Sequence, residues 1–568
     1  MDFEEALKSV GGYGLFNKFI LNALLVISAW HAVFCYMGNL LVHVTPPSQW
    51  CFQNDVNASV VDVTSLPRGK CQMMIPSQGG GYMNATVSGG DAMTCPTGWR
   101  YDNTEFLTTV TMENQWVCGE SRKMYAVHTA YWVGSMTGNL IAGYFSDRIG
   151  RKKISMMLTM IGALGNVLGV FFTGFESFVA LRFFTGMGSE AVSDTAYIIV
   201  MEYTVCERRT LVSFIWTLSW TLMASVLPWY AYLLQSWRGV MLTNTAVDAL
   251  MVVVMCWVPE SSSWLLSVGR KDQALVHFEK IARFNGHTVS QEDLTKRLQV
   301  SLSDVNLQSS SDKAVPSFWE SSLAVLKSPR IRRRTLLIYV GMFMVCLCYN
   351  ANALELGRLN ENIYASYSLA LAFEFPVNLI CIVALDTIGR RWPNSLFLLM
   401  GAVVALIMGL LRTGSLWGIM VMSALCSMSF AGGWNITYQL ASEIFPTVIR
   451  GRVVLILSLV CDLGALAGTH VASLVEYDKF LPVLVIGPLS FVAAVCVFLL
   501  PDSIRQPLPQ TIEDGENFAS HQGICFCPAF PEGRLPGHRG TASITTPTAS
   551  DSPVVVNPPA TFKLSTIA

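Results

Sequence analysis

Charge is scarce in this chain. Only 14% of its 568 residues are Asp, Glu, Lys or Arg, against 52% hydrophobic, and the formal net charge is −1. This balance excludes a soluble multidomain enzyme and offers no electrostatic footprint for nucleic acid. No Gly-x-x-x-x-Gly-Lys-Ser/Thr phosphate loop occurs, which argues against ATP-driven pumping. Neither His-Glu-x-x-His nor Gly-x-Ser-x-Gly appears, so no catalytic constellation, metal site or cofactor is expected. Gly186-Met187-Gly188 lies inside an apolar run rather than after a strand, and so signals close helix packing. Met1 to Asn17 carries Asp2, Glu4, Glu5 and Lys8 and lacks the basic start of a cleavable signal. The first apolar run is therefore expected to stay in the membrane.

Apolar runs are what the chain has in quantity. They fall at 18–42, 124–144, 154–174, 178–201, 210–234 and 239–258, then at 335–355, 362–385, 393–412, 415–438, 453–475 and 481–500. Each can cross ~30 Å of hydrocarbon as a helix. The expectation is an all-α membrane protein with twelve transmembrane helices in two six-helix halves, 18–258 and 335–500. Residues 1–17 precede them, 259–334 link them, and the Pro-, Ser- and Thr-rich 501–568 reads as a disordered tail. Within the linker, Ala274, Leu275, Phe278, Ile281 and Ala282 form a helical stripe. Lys327 to Arg334 reads as a basic anchor on an anionic leaflet. Cys525 and Cys527 are taken to lie in a plain, unmodified tail.

Two short motifs recur at one offset. Gly143-Tyr-Phe-Ser-Asp147-Arg148-Ile-Gly150-Arg151 reappears as Asp386-Thr-Ile-Gly389-Arg390-Arg391, 386 − 147 = 239 residues on. Glu202…Arg209 reappears as Glu443…Arg450, 443 − 202 = 241 residues on. A shared spacing of unrelated motifs means internal duplication, and two related membrane halves point to a secondary transporter. Asp147, Arg148, Arg151, Glu202, Arg209, Asp386, Arg390, Glu443 and Arg450 are the candidates for a conformational latch that releases as the halves rock.

Sidedness follows from the basic residues. Arg148, Arg151, Lys152, Lys153, Arg208, Arg209, Arg390, Arg391, Arg450 and Arg452 crowd the loops of one face. The opposite short loops offer little beyond Arg238, Arg358, Arg412 and Lys479. The crowded face, with both termini, is expected to be cytoplasmic. The loop 43–123 then lies outside, where Cys51, Cys71, Cys95 and Cys118 are disulfide candidates and Asn57 and Asn84 head glycosylation sequons. Four cysteines allow three connectivities, all left open.

The sharpest functional evidence is acid inside the spans. Glu190 and Asp194 lie in the fourth, Asp248 in the sixth, Glu374 in the eighth and Asp462 in the eleventh, with no Lys or Arg at that depth. Such groups are costly in lipid and are functional candidates by default. Uncompensated acids in a low-dielectric cavity attract cations. Glu190 and Asp194, at i and i+4, share a helix face. Of these, Asp248 is the one read as structural, because its helix is peripheral in this architecture. Tyr197 and Tyr349 are candidates for aromatic faces toward a cation, with Trp434 behind them. His31 and His470 lie in spans and could titrate near neutrality, though a lone His there is more often structural.

The pattern resembles the major facilitator superfamily and, within it, the solute carrier 22 family of organic ion transporters. The resemblance rests on Gly143–Lys153, Glu202–Arg209, the Pro259-Glu-Ser-Ser-Ser-Trp stretch to Arg270, Glu443–Arg450 and Pro501–Asp514. Cys461-Asp462-Leu-Gly464 is similar to the organic cation branch, with Asp462 where the anion and carnitine branches carry Arg, and Glu374-Phe-Pro376 is similar to the cation branch's Glu-x-Pro. The sequence departs from the family where Val345 replaces a seventh-helix Asp and where Glu190 and Ser193 replace Lys and Trp. The resemblance implies a plasma-membrane carrier moving a small organic cation across the bilayer, with no ATP. Asp462, Glu374, Glu190, Asp194, Tyr197 and Tyr349 would form its substrate site. The alternatives are a zwitterion or anion exchanger, and a receptor that kept the fold without transport.

Overall fold

The structure, a computed structural model, describes residues 3–45, 48–52, 71–76, 82–85, 95, 97–101, 108–205, 208–287, 327–359, 363–411, 416–478, 480–504, 506, 509, 512–519 and 522. Asn57, Cys525 and Cys527 lie outside the described residues.

Long apolar sequence becomes helix because a helix satisfies its backbone groups within one segment, without water or a neighbouring strand. The first half comprises α1 (Phe3–Ser9), α2 (Asn17–Val42), α3 (Arg122–Ile149), α4 (Arg151–Phe171), α5 (Phe175–Met187), α6 (Glu190–Glu202), α7 (Arg209–Leu234) and α8 (Trp237–Trp257). The linker carries α9 (Ser262–Ser267) and α10 (Lys271–Phe284). The second half comprises α11 (Pro329–Leu359), α12 (Ile363–Ile388), α13 (Arg391–Leu411), α14 (Leu416–Ile444), α15 (Thr447–Ala472) and α16 (Leu481–Phe498), followed by α17 (Ile512–Asn517). Among the described residues, ten helices are long and apolar enough to cross a membrane. The two remaining positions belong to α3, whose 28 residues include many polar ones, and to α5 and α6, which divide the expected fourth span.

The duplication shows in the packing. In the first half α3 packs on α5, α2 on α7 and α4 on α8; in the second α12 packs on α14, α11 on α15 and α13 on α16. The halves meet through α3 against α15 and α7 against α12. Close approach depends on small residues: a Cβ on Gly134 or Gly138 of α3 would strike the backbone of α5.

Among its described residues the long loop is built mainly on strands, with a short helical turn at Val110–Glu113. It forms a four-stranded sheet in the order β3 (Tyr82–Ala85), β2 (Gln72–Pro76), β1 (Gln49–Phe52), β4 (Trp99–Tyr101), with β1 and β2 parallel. Asn84 stands on β3. Disulfides join Cys51 to Cys95 and Cys71 to Cys118, which selects one of the three connectivities. Cys118 lies just before α3, so the sheet is tied covalently to the bundle.

At the opposite end, α10 buries Ala274, Phe278, Ile281 and Ala282 of its stripe. Asn285 beyond it accepts from the Phe16 amide at 2.9 Å and donates to the Val10 carbonyl at 2.8 Å. The tail departs from expectation. Rather than disorder throughout 501–568, α17 docks on the start of α11, whose first amides lack helical partners. The Glu516 carboxylate accepts from the Arg330 and Ile331 amides at 3.0 and 3.2 Å. Arg334 donates to the Gly515 and Phe518 carbonyls at 2.6 and 2.7 Å, so part of the expected lipid anchor is spent on the protein itself.

Candidate functional site

The acids of three helices converge where the halves meet. Asp462 on α15 is fully buried and accepts from Asn139 Nδ2 at 2.8 Å and Ser135 Oγ at 3.1 Å, both on α3. Glu190, the first residue of α6, is half-buried and close enough to Asp462 and Asp194 for their charges to act on it. Asp194, one turn on, is exposed, and its charge reaches Tyr438 on α14. Glu374 on α12 is buried and accepts from the Tyr349 hydroxyl at 3.0 Å. Pro376, inside the same helix, removes one backbone donor just beyond it.

Between the acids runs a chain of rings. Tyr197 contacts Trp216 at 6.2 Å, Trp216 stacks on Trp220 at 5.9 Å, and Trp220 lies 6.3 Å from Tyr36. Tyr36 stacks on Tyr349 at 6.1 Å across the boundary between the halves, and Tyr349 meets Trp434 at 6.1 Å. Trp132 joins at Tyr36, 6.2 Å away. Tyr36 sits in a π-helical turn, Phe34–Gly38, a distortion that turns side chains off the regular helical pattern. Its buried hydroxyl has no hydrogen-bond partner among the described residues. Tyr197 donates to or accepts from Ser213 at 2.7 Å, so its hydroxyl is held within its own half. Faces of this kind attract cations through the ring quadrupole.

Asp248 stands apart from this cluster. Its carboxylate lies 2.6 Å from His31 Nδ1, both are buried, and the pair is internal to the first half. Arg182 corrects the expectation that no cation lies at depth. It is 3% exposed, its guanidinium sits over Phe178 at 4.9 Å, and it reaches Met241 Sδ at 3.3 Å. The fourth span begins at Phe175 rather than 178, which places Arg182 two turns inside it. Arg182 packs against α8, eight positions before Glu190 and toward the sheet end. Glu355 near the end of α11 is a further buried acid.

The latch candidates form the same device twice. Arg151 pairs with Glu202 in the first half; Arg390 pairs with Glu443 at 3.2 Å in the second. Ser261 donates to Glu202, and Ser503 donates to Glu443 at 2.5 Å. Glu260 accepts from the Lys152 amide at 2.9 Å at the start of α4. Asp502 does the same for the Arg390 and Arg391 amides at the start of α13, at 3.2 and 3.3 Å. These carboxylates meet the positive end of each helix. Gly150 and Gly389 precede those helices with φ of 113° and 98°, a region closed to most side chains.

Other latch candidates fall elsewhere. Arg209 and Arg450 donate to backbone carbonyls, Thr204 at 3.4 Å and Phe445 at 3.2 Å. Arg148 lies over the Tyr144 ring at 4.2 Å, and the Asp147 carbonyl accepts from Trp264 Nε1 at 2.8 Å. Asp386 sits near the end of α12. Every ion pair of the device lies inside one half. Each therefore fastens helix ends of one half together rather than bolting the two halves to each other.

The sequence reading missed Tyr36, Trp132, Trp216 and Trp220, which look like ordinary span aromatics when only spacing is known. It also missed Glu260, Ser261, Asp502 and Ser503 as parts of the device. Their signal was available, since Pro259-Glu-Ser and Pro501-Asp-Ser stand 501 − 259 = 242 residues apart.

Comparison with known proteins accords with this geometry. Residues 121–469 match the Major Facilitator Superfamily. The chain is 28% identical to "Organic cation transporter 1" of Caenorhabditis elegans, over 75% of this chain and 72% of that protein. It is 27% identical to "Solute carrier family 22 member 12" of Mus musculus, over 90% and 96%. Against the "Beta-alanine transporter" of Drosophila melanogaster it is 25% identical over 93% and 91%. An inward-open structure of the xylose transporter XylE from E. coli shares the fold, with a TM-score of 0.54 and 16% identity over 88% of this chain and 99% of that one. This chain is thus a multi-pass, non-enzymatic transporter that belongs to the Major Facilitator Superfamily and is similar to solute carrier 22 proteins.

Proposed function

We propose that this protein carries organic cations across the plasma membrane by alternating access, with both termini cytoplasmic. The observation that carries the reading is the gathering of Asp462, Glu190, Asp194 and Glu374 beside a continuous run of aromatic rings where the halves meet. A positive centre would be drawn between the carboxylates and against Tyr36 and Tyr349. Amines, quaternary ammonium compounds and cationic zwitterions have that chemistry. Uniport would be driven by membrane potential, worth ~2.3 kcal/mol per charge at 100 mV.

The ring contact of Tyr232 with Tyr364 and the Ser368–Ser225 hydrogen bond join the halves near the sheet end, while Asp194 is exposed. This supports a cavity closed outward and open toward the termini. Arg182 does not favour anions, because it is enclosed by Phe178 and Met241 rather than standing among the four acids. The test is uptake of labelled tetraethylammonium, carnitine and an aromatic carboxylate by cells displaying the protein. Tetraethylammonium uptake that rises with inside-negative potential is expected. Preference for the carboxylate would overturn the cation reading.

A further inference from the structure

The fourth span breaks at Gly188 and Ser189, immediately before the acid that opens α6. Gly188 is pressed against α4, where a Cβ would meet the Leu158 carbonyl and Gly162. The chain there makes tight turns, Gly188 N–H to Thr185 O at 3.2 Å and Ser189 N–H to Gly186 O at 3.0 Å, and the helix restarts at Glu190. Carbonyls released by such a break need donors in a membrane interior. One side chain serves both: His31 Nε2 lies 2.8 Å from the Gly188 carbonyl and 3.3 Å from that of Ser189.

The chemistry of that contact fixes the ring. A carbonyl oxygen only accepts, so Nε2 carries the hydrogen. Nδ1 faces Asp248 at 2.6 Å, and a carboxyl in that position holds the ring in one orientation. The result is a relay from α8 through α2 to the break, with Asp248, His31 and the Gly188 carbonyl in line. A second tie, Ser193 Oγ to the Ser28 carbonyl at 3.2 Å, fastens α6 to the same face of α2. The other ionisable neighbours are Cys35 on α2, 3.7 Å from His31 Nε2, Tyr131 on α3, Arg182 on α5 and Glu190 itself.

We propose that His31 and Asp248 are positioning residues that hold the break in the fourth span and thereby aim Glu190 and Asp194 into the transport cavity. They touch neither the acid cluster's hydrogen bonds nor the aromatic chain; their action passes through the backbone of 188–190. The role of Glu190 and Asp194 toward substrate rests on the cation reading, whereas the geometry of the break does not.

The experiment therefore has a readout independent of transport. In inside-out membrane vesicles, an Asp194→Cys variant is labelled with a charged, membrane-impermeant thiosulfonate, alone and combined with His31→Leu, Asp248→Leu or Asp248→Asn. In Asp248→Asn the amide can donate to Nδ1 of a neutral imidazole while Nε2–H still reaches the carbonyl, so the clasp survives. The expected result is labelling changed about ten-fold or more by His31→Leu and Asp248→Leu, and by less than about three-fold by Asp248→Asn. Tetraethylammonium KM, measured without the cysteine, should follow the same order with smaller changes in Vmax. If the leucine variants fail to reach the surface, His31→Gln decides, since its amide supplies one N–H to the same carbonyl and should keep near-parental labelling. Parental labelling in a leucine variant, or damage by Asp248→Asn or His31→Gln equal to that of Asp248→Leu, overturns the proposal. Intact labelling differences without any cation uptake would instead remove the cation reading and leave the clasp.

Discussion

Asp462→Asn is the substitution that most directly tests the charge argument, because it alters charge while sparing shape. The carboxylate is enclosed and accepts from Asn139 at 2.8 Å and Ser135 at 3.1 Å. An amide of the same size can accept from Asn139 and donate to the Ser135 oxygen, so the packing of α15 on α3 should persist. What disappears is one negative charge. For a cation centred ~5 Å away in an effective dielectric of ~20, that charge is worth about 3 kcal/mol. Water in a cavity where Asp194 is exposed reduces the figure, and Glu190 and Glu374 remain. A rise in KM of roughly ten- to hundred-fold follows, at ~1.4 kcal/mol per decade. The assay is initial-rate uptake of a quaternary ammonium ion at matched surface abundance and fixed membrane potential. Competition by its neutral tert-butyl analogue supplies the control. The parent should prefer the charged compound, and the variant should lose most of that preference while binding the neutral compound as before. A KM within about two-fold of the parent, or equal losses for charged and neutral compounds, would refute the reasoning.

Two further outcomes follow from the geometry. Tyr349→Phe keeps the ring stacked on Tyr36 but takes away the hydroxyl that Glu374 accepts from, so a thermal-melting assay should show a loss of about 1–3 kcal/mol with little change in KM. Gly150→Ala and Gly389→Ala each force a side chain into positive φ and drive its methyl into Glu260 or Asp502; both should lower folded, surface-exposed protein by similar amounts, about 1–2 kcal/mol or more apiece, and the losses should add because the sites lie in separate halves.

How far the sequence reveals this molecule depends on whether the information is periodic. Duplication is periodic, so the offsets of 239 and 241 residues lead to Arg151–Glu202 and Arg390–Glu443 and to the repeated packing. Acid in a span is equally legible, because its cost in lipid demands a reason. Ring contacts are not. Tyr36, Trp216 and Trp220 differ from other span aromatics only in where α2 and α7 turn them, and a π-helical turn at Phe34–Gly38 breaks the regular spacing for Tyr36. The break at Gly188 is visible only as a pair of glycines, which reads as packing and proves to be both packing and interruption. Arg182 escaped because apolarity alone misplaces a helix start when the preceding turn, Phe175 to Glu176, holds an acid at the helix's positive end. The folded tail was hidden for a different reason: Glu516 acquires its role only once the bare amides at the start of α11 exist.

The two halves are alike in one set of residues and unlike in another, and the division carries a physical consequence. The ion pair, the serine donor, the carboxylate on the helix start and the positive-φ glycine are present in both halves with the same partners. All of them join helix ends within one half, so they make each half a stiff unit without favouring either orientation of the pair. The ionisable groups inside the spans obey no such symmetry. The first half holds Glu190 beside a broken helix, the His31–Asp248 pair and Arg182; the second holds Glu374, Asp462 and Glu355 on unbroken helices. A duplicated ancestor supplies two equal rigid bodies, and rocking between them needs only that equality. Selectivity needs a cavity whose walls differ, because a symmetric site would present the same groups to every end of a substrate. Substitutions in the repeated device should therefore act on folding and on the rate of the conformational cycle for all substrates together. Substitutions among the unrepeated acids and rings should change which substrate is chosen.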